Sequence, residues 1–181
     1  MTNAHPALQF LQLLDPGADA TFNIETYTDL PKGAVKPKPD PLGNRFANRS
    51  IALVEGLVAQ LERLNERGAA VYVAVNEFKG QREKANLVRV RGVHADMDGT
   101  SKAALDAVRL RLKPTIEVQS SGPGNWHFYW LLETGEVITA EMAEAINRGL
   151  AKLGADPAAV DISRLLRLPG FRHMKYGGEG L

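Results

Sequence analysis

Hydrophobic positions along this chain switch between the 3.6-residue spacing of helices and the two-residue spacing of strands, and the switches outline the elements. His5 to Leu14 predicts a short helix, ended by Asp15-Pro16-Gly17. Ala20 to Tyr27 alternates as a strand. Residues 31–44 hold Pro31, Gly33, Pro37, Pro39, Pro41 and Gly43, which predicts an exposed loop. Ser50 stands at an N-cap position, and Leu53, Leu57, Leu61 and Leu64 recur at helical spacing up to Gly68. Ala70 to Asn76 predicts a β-branched strand, followed by a polar turn around Gly80, and Leu87 to Asp98 predicts the longest strand. Thr100 or Ser101 caps a helix with Leu105, Val108 and Leu112 inward, ending before Pro114. Thr115–Gln119 and Trp126–Leu132 predict strands around a tight loop, Ser120 to Asn125. Thr139 opens a last helix with Met142, Ile146, Leu150 and Leu153 expected inward. No internal repeat is present, and the pattern predicts a mixed α/β architecture around a central sheet.

The chain has 181 residues, 44% hydrophobic and 24% charged, a globular balance that excludes disorder. That length suits one ordinary domain able to bury roughly 70% of its unfolded surface without staples. Apolar runs are a few residues long, far short of a membrane span, and no signal-peptide layout opens the chain. The expectation is therefore a cytoplasmic protein. Zero cysteines exclude disulfides and thiolate zinc sites. The formal charge of +1 hides segregation: basic residues gather as Lys32, Lys36, Lys38, Arg45 and Arg49, as Lys79, Arg82, Lys84, Arg89 and Arg91, and as Arg164, Arg167, Arg172 and Lys175. Such segments can build a phosphate-binding face, or be no more than solvated loops.

Three clusters carry candidate chemistry. Asp96 and Asp98 end the longest strand pattern, and residues i and i+2 of a strand share a face about 6.5–7 Å apart. Carboxylates that close repel unless a cation or shared proton intervenes, and hard oxygen donors suit Mg²⁺ or Mn²⁺. The plainer alternative is an acidic turn with Gly99 as its turn residue. The second cluster, Ser120 to His127, can aim hydroxyls and backbone N–H groups of a glycine-rich loop at an anion. His127 and Tyr129 face away from Trp126, Phe128 and Trp130, whose alternation reads as core. Its alternative is a hairpin turn followed by a packed histidine. The third, Asp161 to Lys175, sets a carboxylate before spaced cations, as metal ligand and phosphate grips or as a capping Asp with solvated arginines. Their co-occurrence supplies the parts of a metal-assisted phosphoryl-transfer site.

In this order the motifs resemble those of the archaeo-eukaryotic primase superfamily: Asp96-x-Asp98-Gly99, Ser121-Gly122-x-Gly124-x-x-His127, then Asp161. The similarity is closer to the primase domains of prophage and plasmid replication proteins. Their motifs stand here as Val73-Ala74-Val75-Asn76, Arg82, Val90-Arg91 through Gly99, Ser120 to Trp130, and Arg167-Leu168-Pro169-Gly170-Phe171 through His173 and Lys175. The resemblance implies an α+β primase fold with an RRM-like central sheet flanked by helices, residues 1–85 forming an N-terminal lobe and 86–181 a metal-binding catalytic lobe of one domain. It implies two Mg²⁺ or Mn²⁺ ions on Asp96, Asp98 and Asp161. It places a dNTP or NTP on Ser120, Ser121, Gly122, Gly124, His127, Arg164, Arg167 and Lys175. Single-stranded DNA template or primer would meet Asn76, Lys79, Arg82, Lys84 and Arg91. Zinc modules found in many members are excluded here in their thiolate form. The helicase often fused to prophage members has no room in 181 residues, so a helicase domain or protein is an expected partner and a fragment of a larger protein an expected origin.

Two other classes compete. Asp96-Met97-Asp98-Gly99-Thr100 also spells the motif of haloacid-dehalogenase-like phosphatases, with Asp96 as nucleophile, Asp98 as acid/base, and the Ser120 hydroxyl and the Asp156/Asp161 pair on its later motifs. That reading leaves the His127 strand and the Arg167-Leu168-Pro169-Gly170 segment without a role. A non-catalytic single-strand-binding module would use Trp126, Phe128 and Trp130 for stacking, yet has no need of separated carboxylates.

Overall fold

A computed structural model describes residues 4–31 and 33–176. Lys32 and the glycine-rich tail from Gly177 lie outside the described residues. The elements run α1 (Pro6–Leu14), β1 (Phe22–Thr28), β2 (Asn44–Arg49), α2 (Ile51–Glu66), β3 (Ala69–Ala74), β4 (Glu77–Phe78), β5 (Leu87–Arg89) and β6 (Gly92–Met97). They continue with α3 (Lys102–Leu112), β7 (Ile116–Gln119), β8 (Trp126–Leu131), α4 (Ala140–Ala151) and β9 (Leu165–Arg167). Hydroxyl caps set the helix starts: Ser50, Ser101 and Thr139 accept from the backbone N–H three residues on, so Ser101 rather than Thr100 opens α3.

Antiparallel pairing builds a four-stranded sheet in the order β2-β1-β3-β9 and a three-stranded sheet in the order β6-β8-β7, with β4 and β5 as a separate ribbon. The run β6-α3-β7-β8-α4 has the RRM-like strand order, but the strand that would close it, β9, joins the other sheet. The first sheet therefore mixes both halves of the chain, and the 85/86 division is not a division between sheets. Beside β6, Asp156 donates its backbone N–H to the Asp96 carbonyl (2.7 Å).

β8 explains its own composition. Tyr129 points into a core with Phe10, Leu11, Ile24, Val73 and Leu166, while Phe128 points into a second core with Met97, Leu105, Val108 and Leu150. A strand covered on both faces has no solvent side on which to alternate polar residues. Burying a side chain such as Phe128 contributes about 1.5–3 kcal/mol. Trp126 and Trp130 pack against the second core, so they form no open stacking platform.

Four expectations are corrected. The pattern from Leu87 to Asp98 is two strands: the Asn76 carboxamide oxygen accepts from the backbone N–H of Arg91 (2.9 Å), taking that donor from any ladder. Gly92 then passes so close to β8 that a Cβ would stand 2.4 Å from the Trp130 carbonyl oxygen. The loop expected over 31–44 ends at Gly43, and β2 follows it unforeseen because Asn44-Arg45-Phe46-Ala47-Asn48-Arg49 is a half-exposed edge strand with little apolar signal. On α2 and α3 the apolar pattern overreaches, since Leu53 and Leu112 are exposed and Val54 takes an inward place. On α4 the buried residues are Ala143, Asn147 and Leu150, while Met142, Ile146 and Leu153 are exposed. Asn147 decides this rotation, accepting from the His94 N–H of β6 (3.1 Å) and donating to the Val160 carbonyl (3.1 Å). Leaving those buried backbone groups unpaired costs more than exposing a few aliphatic atoms.

Candidate active site

The ends of β6 and β8 meet β3 and β9 around a small cavity of about 170 Å³. It is lined by Asp96, Asp98, Ser120, Ser121, His127 and Asp156 from the three-stranded side, and by Tyr72, Arg164, Arg167, His173 and Lys175 among others from the opposite side. A larger cavity of about 660 Å³ adjoins it, sharing Tyr72, Arg164, Leu165 and Lys175. Carboxylates thus face cations, and two serine hydroxyls stand beside them.

Strand register explains the first pair. Asp96 lies opposite His127 across β6 and β8, and His127 Nε2 stands 3.4 Å from Asp96 Oδ1. His127 Nδ1 is in turn 3.5 Å from the Tyr129 hydroxyl, so the ring is held from both ends. Burial pushes the Asp96 carboxyl up, but the bond to His127 and the charges of His127 and Arg164 bring it below its ordinary range. Asp98 moves the opposite way: burial, then the negative charges of Asp96 and Asp156, raise it. The charges of His127 and Lys175 offset only part of this, so Asp98 keeps a repulsion that its neighbours do not fully relieve.

The loop after β7 is tied to the turn after Asp98. Asn125 Oδ1 accepts from the Gly99 N–H (2.6 Å), and the Gly124 carbonyl accepts from the Thr100 N–H (2.9 Å). Gly124 has φ +90, and a Cβ there would lie 2.8 Å from the Thr100 carbonyl oxygen, so only glycine permits this approach. Ser120 and Ser121 line the cavity; Gly122 and Gly124 do not, and Gly124 acts by joining the two turns.

Opposite them, Arg167 is held by Asp29, at the end of β1. Asp29, whose side chain is 1% exposed, accepts from Arg167 Nη2 (2.8 Å) and from the Met174 N–H (2.9 Å), with His173 Nδ1 3.8 Å away. The Arg167 guanidinium also lies 5.3 Å from the centre of the Tyr72 ring, directly across the β3–β9 pairing. Arg164 lines both cavities, and its buried Nε has no hydrogen-bond partner among the described residues. Asp29 carries no sequence signal beyond being an acid after a strand.

The third carboxylate beside Asp96 and Asp98 is Asp156. Its Oδ1 accepts from the Ala158 N–H (2.8 Å), capping a one-turn helix, Pro157–Ala159. In sequence it reads as an Asp-Pro turn opener, which is why only the phosphatase alternative touched it. Asp161 lines the larger cavity instead, bound to the Ser163 N–H (2.7 Å), Ser163 Oγ (2.5 Å) and Lys84 Nζ (3.0 Å). Hydrogen bonds from Ser163 and Lys84 outweigh its burial and lower its carboxyl.

The expected template residues scatter. Asn76 and Arg91 are corrections, because both are buried inside the fold. Asn76 Nδ2 donates to the Ile162 carbonyl (3.1 Å), and Arg91 pairs with Asp15 (2.6 Å) over the Phe22 ring. Lys79 is exposed and lines neither of these cavities. Lys84 is engaged by Glu144 (2.6 Å) and Asp161. Arg82 lines the larger cavity, tied to Glu25 (2.9 Å) and to the Ser163 carbonyl.

Among the described residues no three acidic or histidine side chains converge closely enough to hold an ion unaided. The donors nevertheless fit Mg²⁺ or Mn²⁺, which are commonly held by one or two carboxylates with substrate phosphates and waters completing the shell. The raised Asp98 carboxyl beside Asp96 is the repulsion that a divalent cation removes.

All-antiparallel sheets, RRM-like strand order and this acid–base cavity define the class: an archaeo-eukaryotic primase catalytic fold. The family model of the RepB DNA-primase N-terminal domain matches residues 51–180, and the chain belongs to that family. Among solved structures it is similar to the primase RepB′, at 21% identity and TM-score 0.65 over 96% of this chain and 53% of that one. It is similar also to the catalytic domain of RepB′ in complex with initiator DNA, at 22% identity and TM-score 0.62 over 93% of this chain and 78% of that one. The AEP domain of the cyanophage S-2L primase-polymerase matches at 20% identity and TM-score 0.67, over 93% of this chain and 82% of that one. The chain spans about half the length of the first RepB′ chain. A search of curated proteins found no match. Among the described residues no helix is long and apolar enough to cross a membrane.

Proposed function

We propose that this chain is a nucleotidyl-transferring primase domain, adding nucleotides along single-stranded DNA in cytoplasmic phage or plasmid replication. The observation that carries the reading is the convergence of Asp96, Asp98 and Asp156 with His127, Arg164, Arg167 and Lys175 around one cavity. The complex of RepB′ with initiator DNA supports a DNA partner for this chain. A phosphatase of the haloacid-dehalogenase kind is not favoured, since its sheet is parallel and these sheets are antiparallel.

Arg164, Arg167 and Lys175 receive the triphosphate of a dNTP or NTP, with His127 and the hydroxyls of Ser120 and Ser121 completing the grip. Asp96, Asp98 and Asp156 would hold Mg²⁺ or Mn²⁺, which when bound lowers the pKa of the attacking hydroxyl and neutralises charge on the α-phosphate. The hydroxyl gives its proton to solvent, its oxygen bonds to the α-phosphorus as the bond to pyrophosphate breaks, and the cationic wall takes the charge of the leaving group. The larger cavity, with Arg82 and Tyr72 on its walls, offers the space for template and acceptor nucleotide. Asp161 then serves to fix Lys84 and the Ser163 turn.

The test is nucleotide incorporation on primed and unprimed single-stranded DNA with Mg²⁺ or Mn²⁺, comparing dNTPs with NTPs. Metal-dependent product that vanishes in Asp96→Ala/Asp98→Ala supports the reading, and the unprimed lane separates initiation from extension. Product undiminished in that variant would refute it.

A further inference from the structure

The outer face of α4 has no partner among the described residues, although its residues recur at the spacing of a packed helix. Met142, Ile146 and, in the turn that closes the helix, Leu153 are 53%, 44% and 56% exposed. With Gly149 they mark positions 142, 146, 149 and 153, the 4-3-4 spacing of a helix–helix seam. Gly149 itself has no explanation inside the chain. It sits in the last turn of α4, where glycine still weakens the helix, and a Cβ built on it would meet nothing within 4 Å among the described residues.

We propose that this face seats a second copy of the chain, α4 against α4, antiparallel across a two-fold axis. With the axis between residues 147 and 148, Met142 of one copy meets Leu153 of the other, and Ile146 meets Gly149. A branched side chain thus fills the notch that the glycine leaves open. The charges select the same orientation. Glu141 lies in the first turn of α4 and Lys152 at its C-cap, while Arg148 is engaged by Glu144 of its own helix (3.8 Å). Antiparallel packing puts each acidic end beside the other copy's basic end, whereas parallel packing sets like against like. A two-fold interface must be complementary to itself, and this helix face is so in the fit of Ile146 to Gly149 and of Glu141 to Lys152. One helix pair buries less than a stable interface needs, so the dimer is weak and concentration-dependent. None of the four stripe residues lines either cavity of the candidate active site, so the inference stands apart from the catalytic reading.

Sedimentation velocity of the full chain over a roughly hundredfold concentration range tests it, with the mass rising from one chain towards two. Ile146→Asp, checked for an unchanged circular-dichroism spectrum, keeps the chain monomeric throughout and leaves nucleotide incorporation per chain unchanged. Gly149→Ala separates helix from interface, because it raises the melting temperature of the dilute monomer while weakening the dimer. Glu141→Lys and Lys152→Glu each weaken association about two- to fivefold, and the double swap restores it. A wild type monomeric over the whole range overturns the proposal and leaves the stripe to a partner of other sequence. Dimers that survive Ile146→Asp, or a double swap that restores nothing, overturn it as well.

Discussion

Asp29 and Asp98 stand on opposite sides of the same cleft region and show how differently one residue type can be used. Asp29 is a finished site: one oxygen takes Arg167, the other takes the Met174 N–H, and His173 stands close by. Asp98 is unfinished, raised by burial and by the negative charges of Asp96 and Asp156. A buried carboxylate with all its partners organises its surroundings. A more exposed carboxylate such as Asp98 that keeps a like-charged neighbour does so at a cost, and such costs concentrate at functional sites. The cationic wall is thus built in advance, while the acidic wall holds its charge for a cation and a phosphate.

The sharpest way to break this contrast is on the acidic side. Asp96→Ala/Asp98→Ala is expected to lower incorporation by at least about 10³-fold while leaving thermal unfolding little changed. Asp98→Asn alone, which removes the repulsion, should raise the melting temperature in metal-free buffer even as activity is lost. The two candidate third carboxylates come next. Asp156→Asn should cost on the order of 10²-fold in incorporation and Asp161→Asn less than about threefold, in parallel steady-state assays. The reverse order would return the role to Asp161.

Asp29→Asn probes the finished side and should act mainly on stability. Breaking the pair with Arg167 is expected to cost about 2–4 kcal/mol in urea unfolding. The nucleotide KM should rise about tenfold with a smaller change in kcat, because Arg167 loses its anchor rather than its charge.

The effect with no bearing at neutral pH concerns His94, which supports the turn carrying Asp156 by bonding the Ala159 carbonyl (2.9 Å). Complete burial, partly offset by that carbonyl, pushes its pKa down to about 4. The folded state therefore prefers the neutral ring, and the unfolded chain binds the extra proton first as pH falls. This contribution to stability is intact above about pH 6.5 and is lost between there and about pH 4, at up to about 1.4 kcal/mol per unit. His94→Gln keeps a donor for Ala159 but cannot titrate, so it should flatten that stretch of the urea-unfolding profile.

Local chemistry made much of the molecule legible. Periodicity, hydroxyl caps and glycine or proline stops placed all four helices and most strands, because each depends on residues within a few positions of one another. The site was legible where its geometry is equally local: Asp96 with Asp98 on one strand, Ser120 and Ser121 in one loop, and Arg164, Arg167 and Lys175 along one short segment. Where apolar pattern and long-range hydrogen bonding disagreed, the pattern lost. Met142 and Ile146 promised a buried face on α4, and Asn147 turned that helix by reaching His94, 53 residues away.

By itself, then, the sequence determined the elements, their order and the inventory of acids and bases. Tertiary structure decided which of them meet. It sent Asp156 rather than Asp161 to the small cavity and buried Arg91 against Asp15, 76 residues earlier. It also hid Asn76 in backbone bonds and gave Arg167 its anchor in Asp29, 138 residues away. The reason is physical: spacing along a chain governs which side chains share a face. Which faces meet is set by the pairing of buried polar groups and the closing of cores, and those partners come from anywhere in the chain.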